Sequence, residues 1–285
     1  MHGKVCLITG ANSGIGKVTA LELARQGATV VMVCRNTAKG TAARSEIRAA
    51  SGNTAVDLLL ADLSSLASVR ELAATFQQRY PRLDVLINNA GIYRARYTET
   101  IDGFEQTFAV NHLAPFLLTN LLRELLIASA PARIITVSSE GHRWARINFN
   151  DLHGKRGYNG MRAYTQSKLA NILFTYELAR QLAGTGVTAN CLHPGGVATN
   201  FAKEEAGLFG ILFGLMRPVL RTPEQGAATS IYLATAPAVA DVTGTYFRDK
   251  RPARSSRLSY DQATWQRLWD VSAELVDLPV LTAAK

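Results

Sequence analysis

Cysteine is scarce in this chain. Its three cysteines, Cys6, Cys34 and Cys191, form an odd set, each inside an apolar run. That excludes a disulfide-stapled scaffold, and the spacing excludes a thiolate metal centre, so a reduced, cytoplasmic setting is expected with no metal site. Apolar runs long enough to cross a bilayer, about 20 residues, are also lacking. The first strand-like run begins at Lys4, leaving no room for a cleavable leader, which again fits a cytoplasmic protein. Acidic residues are outnumbered, with 22 Asp and Glu against 31 Lys and Arg and a net charge of +9. The cations are scattered and no aromatic-interleaved stripe accompanies them, which argues against nucleic acid. Their surplus suits a solvated face, an anionic cofactor, or peripheral contact with a membrane surface.

The remaining sequence alternates short Val/Ile/Leu-rich runs with amphipathic stretches, the pattern of βα units feeding a parallel sheet. Strands are expected at 4–9, 29–34, 55–60, 85–88, 133–137, 187–192 and near Thr245. Helices are expected at 14–26, 37–51, 66–80, 103–128, 162–183 and 223–234, from apolar spacings of three and four. Thr222-Pro223 supplies a cap and a first-turn proline for the last of these. The expectation is a single-domain, Rossmann-type, doubly wound α/β fold over residues 1–285, with a parallel sheet of six to seven strands and helices on both faces. Trp265, Leu268, Trp269, Val271 and Leu275 suggest a C-terminal packing helix, preceded by an exposed loop at 248–257.

The first strand runs into Gly10-Ala11-Asn12-Ser13-Gly14-Ile15-Gly16 and then directly into a helix. Glycine lets the backbone approach a pyrophosphate, and free N–H groups at the positive helix end favour its charge. A phosphate loop of the Walker type needs Ser or Thr after Lys, and Val18 follows Lys17. The spacing Gly-x-x-x-Gly-x-Gly resembles that of the short-chain dehydrogenase/reductase family.

The end of the second strand indicates which dinucleotide. An NAD enzyme places a carboxylate there for the ribose 2′-hydroxyl, whereas an NADP enzyme offers a cation to the 2′-phosphate. This chain has Cys34-Arg35-Asn36 and no acid before Glu46, so Arg35 points to NADP(H), unless it merely starts a solvated helix. Lys39 is a further candidate cation. Asp62-Leu63 and Asn88-Asn89-Ala90-Gly91 follow the third and fourth strands, at carboxyl ends where such sheets bind ligands. In the family these positions resemble the adenine-edge contact and the loop supporting the nicotinamide ribose; Asp62 is equally suited to capping the next helix.

Tyr164 and Lys168, four apart, share one helix face. A free phenol, with a pKa of about 10, is a poor base at neutral pH. A cation about 4 Å away contributes roughly 4 kcal/mol at an effective dielectric near 20, enough for a downward shift of two to three units. Lys168 is the expected cation, aided by oxidised nicotinamide. Ser139, at the end of the fifth strand, offers a hydroxyl to the substrate oxygen, while Ser138 should face the other way. Asn111 is placed to hold a water linking Lys168 to solvent.

These residues, together with Pro194-Gly195, stand in the family's order along nearly the whole chain. The stretch Tyr164-Thr165-Gln166-Ser167-Lys168-Leu169-Ala170-Asn171 and the 25 positions separating Ser139 from Tyr164 (164 − 139) resemble the retinol dehydrogenase branch. The resemblance implies an NADP(H)-dependent aldehyde/ketone reductase or alcohol dehydrogenase for a lipophilic small molecule. It also implies nicotinamide contacts from Pro194, Gly195, Val197 and Thr199, a substrate lid over 196–222, and homo-oligomerisation. Branch members bound to membranes carry an apolar anchor before the first strand, a feature not seen here. Within the expected lid, the apolar segment 207–216 suits a pocket wall or membrane contact beside Arg217 and Arg221. The competing readings are a non-catalytic NADP(H)-binding regulatory or scaffold protein and a C=C reductase on the same fold. His193 has no ligand-spaced companions and reads as structural.

Overall fold

The computed structural model describes residues 1–197 and 220–279. Its strands are β1 (Val5–Thr9), β2 (Thr29–Cys34), β3 (Val56–Leu60), β4 (Val85–Asn88), β5 (Ala132–Val137), β6 (Val187–His193), β7 (Thr245–Arg248) and β8 (Arg251–Pro252). They form one sheet in the order β3-β2-β1-β4-β5-β6-β7-β8. Every pairing from β3 across to β7 is parallel, so the expected doubly wound sheet is present. The sheet is one strand wider than expected. The additional strand is antiparallel, with Phe247 opposite Pro252 and Arg248 opposite Arg251, inside the segment read from sequence as a loop. Two exposed residues carry no apolar periodicity, so composition gave no sign of it.

Side-chain alternation divides the core into two layers. Leu7, Val31, Val33, Leu86 and Ile134 face one layer, while Cys6, Ile8, Val30, Met32, Ile87 and Ile135 face the other. The helices covering these faces are α1 (Gly14–Arg25), α2 (Thr37–Ser51), α3 (Leu66–Arg79), α4 (Gln106–Phe108), α5 (Ala114–Leu121), α6 (Arg123–Ala128), α7 (Gly160–Gln181), α8 (Pro223–Thr235) and α9 (Gln262–Leu275). α8 begins as its sequence implies: the Thr222 side chain accepts from the Gln225 N–H, the Gln225 side chain returns to the Thr222 N–H, and Pro223 opens the first turn. α9 buries Leu268 and Trp269, the latter against Phe116 and Phe174, as the aromatic periodicity anticipates.

The helix expected over 103–128 is instead broken. It starts at Gln106, passes through a π turn at Ala109–Leu113, and breaks again between α5 and α6. Pro115 has no N–H, so the Asn111 carbonyl four residues earlier has no α-helical donor, and the ladder shifts to the wider i to i+5 pattern, as in the Ala114 N–H bond to Ala109 O. Upstream, Glu105 ends an isolated bridge with Glu99 and caps the short α4 through the Thr107 and Phe108 N–H groups.

Two consequences position the site. β1 lies between β2 and β4, so the connections from its neighbours leave in opposite directions and open a crevice above the strand ends. The two ends of the expected 196–222 lid meet: Val197 bridges Arg221 in parallel fashion, and the Arg221 N–H donates to Gly196 O at 2.7 Å. The intervening 198–219, including the apolar 207–216 and Arg217, lies outside the described residues.

Candidate active site

The crevice is a cavity of about 530 Å³ running from the glycine turn, past Arg35 and Asp62, to Ser139, Tyr164 and Lys168. Its floor is backbone. Gly10 has φ +67°, and a Cβ on Gly16 would stand 2.4 Å from Gly10 O and 2.5 Å from Asn89 Nδ2, so the turn closes only with glycine at 16. Asn89 pins it by donating from its amide to Thr9 O at 2.8 Å. Ser13 stands at the N-cap of α1 with its side chain making no cap bond, and the first helical turn carries no acid. Such a turn, opening a helix whose N-cap side chain leaves the first-turn N–H groups unbonded, fits a pyrophosphate.

At the other end of this floor, Arg35 leaves β2 in an exposed position and lies before α2, whose N-cap is Asn36 accepting from the Lys39 N–H at 2.9 Å. Arg35 thus stands immediately before the N-cap of α2, outside the helix itself. Its guanidinium is 3.9 Å from Asp62 Oδ2 and 60% exposed. Cys34 stays buried behind it, its thiol pushed up by desolvation, with a Cβ on Gly40 excluded at 2.5 Å from its sulfur. Lys39, Asn36 and Leu63 also line the cavity. The helix-cap reading of Asp62 is corrected. Ser65 caps α3, and Asp62 Oδ1 instead accepts from Ser64 N and Ser64 Oγ at 2.9 and 2.7 Å.

Ala90 and Gly91 line the cavity as expected, but Asn88 does not. Asn88 is buried, and its amide donates to Thr119 Oγ1 at 3.0 Å, on the opposite side of the strand end from Asn89. Alternation along β4 decides this, and Asn89 is the cleft residue of the pair. Asn111 is also outside the cavity lining. Its side chain accepts from Ile92 N at 2.7 Å and donates to Ile92 O and Ser167 Oγ, bracing loop 89–92 against α7.

At the reacting end, Ser139 projects from the end of β5. Its Oγ accepts from Gly141 N at 3.2 Å and hydrogen-bonds the Tyr164 phenol. Ser138 faces away, donating to Lys168 O at 2.7 Å, so the choice between the two serines agrees with strand geometry. Lys168 is 3% exposed, and its Nζ donates to Val137 O at 3.0 Å, 5.8 Å from the Tyr164 ring centre. The strand explains why that carbonyl is available. The peptide that directs the Ser138 N–H to Leu192 on β6 turns Val137 O the other way, beyond the end of β4 at Asn88.

The electrostatics correct one expectation. Burial raises the Tyr164 pKa, partly offset by the Ser139 hydrogen bond, whereas the lysine was expected to lower it. Burial also lowers Lys168 to about 8. The reason is desolvation: the ammonium donates to Val137 O, and the dry pocket disfavours both charged forms. His193, read from sequence as structural, lines the cavity. Its Nδ1 accepts from Glu140 N at 3.2 Å, and burial lowers its pKa to about 4.

Pro194, Gly195 and Val197 form the remaining wall; Thr199 lies outside the described residues. Sequence reading did not anticipate Tyr93, Arg94, Gln106 or Met161, which also line the cavity. Tyr93 meets Tyr164 edge-on, centroids 6.3 Å apart, and Arg94 Nε donates to Gln106 Oε1 at 2.7 Å. No motif marks them, although the position of Tyr93 and Arg94 just beyond the Asn-Asn-Ala-Gly turn was itself a signal.

A glycine-rich crevice at the switch point of a parallel sheet, closed by a serine, tyrosine and lysine, defines a nicotinamide-dependent oxidoreductase architecture. The family model described as short chain dehydrogenase matches residues 4–207, and the chain belongs to that family of oxidoreductases. It is 49% identical to retinol dehydrogenase 14 of Homo sapiens over 98% of this chain and 88% of the relative. Among solved structures, an uncharacterized protein of Mycobacterium Paratuberculosis superposes with TM-score 0.79 at 37% identity, covering 99% of this chain and 96% of the other. A short chain dehydrogenase of Burkholderia cenocepacia in complex with NADP superposes with TM-score 0.69 at 27% identity, over 86% of this chain and 96% of its own. Among the described residues, no helix is long and apolar enough to cross a membrane.

Proposed function

We propose that this chain is an NADP(H)-dependent oxidoreductase that interconverts a lipophilic aldehyde or ketone and its alcohol. The observation carrying the reading is the convergence of Ser139, Tyr164 and Lys168 at one end of the cavity that begins at the glycine turn and Arg35. Arg35 and Lys39 favour the 2′-phosphorylated cofactor, since a guanidinium matches phosphate geometry and no acid ends β2. The first helical turn of α1 and the backbone of Gly10–Gly16 hold the pyrophosphate, while Ala90, Gly91, Pro194, Gly195 and Val197 flank the nicotinamide half. NADPH, when bound, supplies the hydride.

This chain's residues supply the rest. In reduction, Ser139 and Tyr164 hydrogen-bond the carbonyl oxygen and polarise the carbon that accepts hydride. Tyr164 Oη then transfers its proton to the developing alkoxide, and oxidation runs the same proton back. Lys168, protonated below about pH 8 and one helical turn from Tyr164, stabilises the phenolate left on it. The π turn suggests that the main-chain carbonyl of Asn111, freed by Pro115, holds the water that resupplies this proton, with the side chain bracing loop 89–92. Ile92, Tyr93, Val110 and Met161 give the substrate side an apolar character, in keeping with the relatives' name.

A panel of aldehydes, ketones, retinoids and steroids followed by NADPH absorbance, with NADH in parallel, tests the reading. Turnover with NADPH that disappears in Tyr164→Phe supports it. Binding of NADPH without turnover of any carbonyl would instead favour a scaffold protein, and turnover confined to conjugated alkenes would favour a C=C reductase.

A further inference from the structure

Ser139 is held from behind by a side chain that the mechanism does not use. His142 is fully buried in the 3₁₀ turn Glu140–Trp144 that follows β5. Its Nδ1 is 2.6 Å from Ser139 O, and its Nε2 is 3.0 Å from the Ser256 main-chain N. These partners fix the proton. A main-chain N–H can only donate, so Nε2 accepts; a carbonyl can only accept, so Nδ1 carries the hydrogen. The ring is neutral and locked in one tautomer, in line with a pKa lowered by burial.

The Ser139 carbonyl thus receives the imidazole N–H in addition to the His142 main-chain N–H at 3.1 Å. Two neighbouring ties join the same short turn to the C-terminal part of the chain. Tyr246 Oη donates to Glu140 Oε1, and Arg143 Nη2 donates to Arg254 O, both at 2.7 Å. The Tyr246 ring stands edge-on to His142 with centroids 5.0 Å apart. Freed of His142, the turn would keep these outer ties but lose the one reaching the Ser139 backbone.

We propose that His142 is a positioning residue for hydride transfer, anchored on the Ser256 N–H and setting the main-chain position from which the Ser139 hydroxyl meets the substrate oxygen. The inference rests on the role given above to Ser139. It implies that segment 253–260, which lines no part of the cavity, tunes turnover through one imidazole.

The test is a double-mutant cycle on the full chain, reading kcat with NADPH and the Kd for NADPH. His142→Phe keeps ring bulk and loses both hydrogen bonds. His142→Gln keeps an acceptor towards the Ser256 N–H and loses the donor to Ser139 O, and serves should the Phe variant fail to fold. Each is combined with Ser139→Ala, whose residual turnover is the background. The expected result is a fall in kcat of about tenfold for His142→Phe, a similar fall for His142→Gln, an unchanged Kd, and no further loss from either when Ser139 is already alanine. His142→Asn, which keeps a donor near the Nδ1 position, is expected to recover most of kcat. An equal fold loss in both backgrounds, or no loss in the wild-type background, overturns the inference while leaving the site intact. Full activity of Ser139→Ala overturns the reading of the site, and the inference with it.

Discussion

The two ends of the cavity are built on different principles. At the reacting end, Lys168 is 3% exposed and Tyr164 half-buried, and Ser138, Ser139 and the Val137 carbonyl hold them in place. At the far end, Arg35 is 60% exposed and Asp62 42%, and they meet across 3.9 Å in solvent. Charge in the dry end is strongly felt, because every change of protonation there is made against desolvation. Charge in the wet end is screened and exchangeable. On the proposed function, the chemistry therefore resides where replacement is ruinous, and cofactor preference where a single substitution can move it.

The largest effect is expected from Tyr164→Phe. Loss of the proton donor should lower kcat/KM for carbonyl reduction by about 10²- to 10⁴-fold, while the Kd for NADPH, measured by fluorescence, stays within about twofold. A variant that retained turnover but lost NADPH would reverse the assignment of the two ends.

The dry end should also appear in the pH dependence of stability. Lys168 titrates near 8 in the folded protein and near 10.5 once unfolded, so between those values the unfolded chain binds more protons. Stability must then rise with pH across that window, with a ceiling of about 3 kcal/mol for this group. Urea midpoints at pH 8 and 10 compared between wild type and Lys168→Met isolate it; a wild-type slope no steeper than the variant's would remove the buried ammonium from the account. On the acid side His112, also lowered to about 4 by burial, contributes stability that is lost as pH falls from 6.5 towards 4.

The two ends also differed in how far the amino-acid order disclosed them. Arg35 and the glycine turn depend on local order: a strand end, the lack of an acid and a helix start are all contiguous in the chain, and the structure keeps them together. Ser139 could be chosen over Ser138 because strand alternation is a local rule. The same rule applied to Asn88 and Asn89 would have chosen Asn89, as the hydrogen bonds to Thr119 and Thr9 show. The broken helix was legible too, since Asn111 and Pro115 are four apart. What no local rule could show is where the Lys168 ammonium points. That depends on β4 ending one residue short of the Val137 carbonyl, a fact of register between strands nearly 50 residues apart. The antiparallel β8 and the link from His142 to Ser256 are hidden for the same reason.

At the wet end, Arg35→Ala should weaken NADPH by about tenfold and leave NADH nearly unchanged, the loss of one charge-assisted contact discounted for solvent exposure. Equal weakening of both cofactors would mean that Arg35 supports the fold and not the 2′-phosphate.

The smallest expected effect sharpens the contrast most. Asp62 Oδ2 stands beside Arg35, and a 2′-phosphate arriving at that guanidinium meets a carboxylate of its own sign. Asp62→Asn removes the charge and keeps an oxygen to accept from Ser64, so the loop after β3 retains its turn. Exposed pairs are worth about 0.2–1 kcal/mol, so the variant should bind NADPH up to about fivefold more tightly, with NADH unaffected and the gain vanishing in high salt. Tighter binding of both cofactors, or a gain indifferent to salt, would show that Asp62 acts by shape. Charge at the far end would then no longer be the quantity that distinguishes it from the buried end.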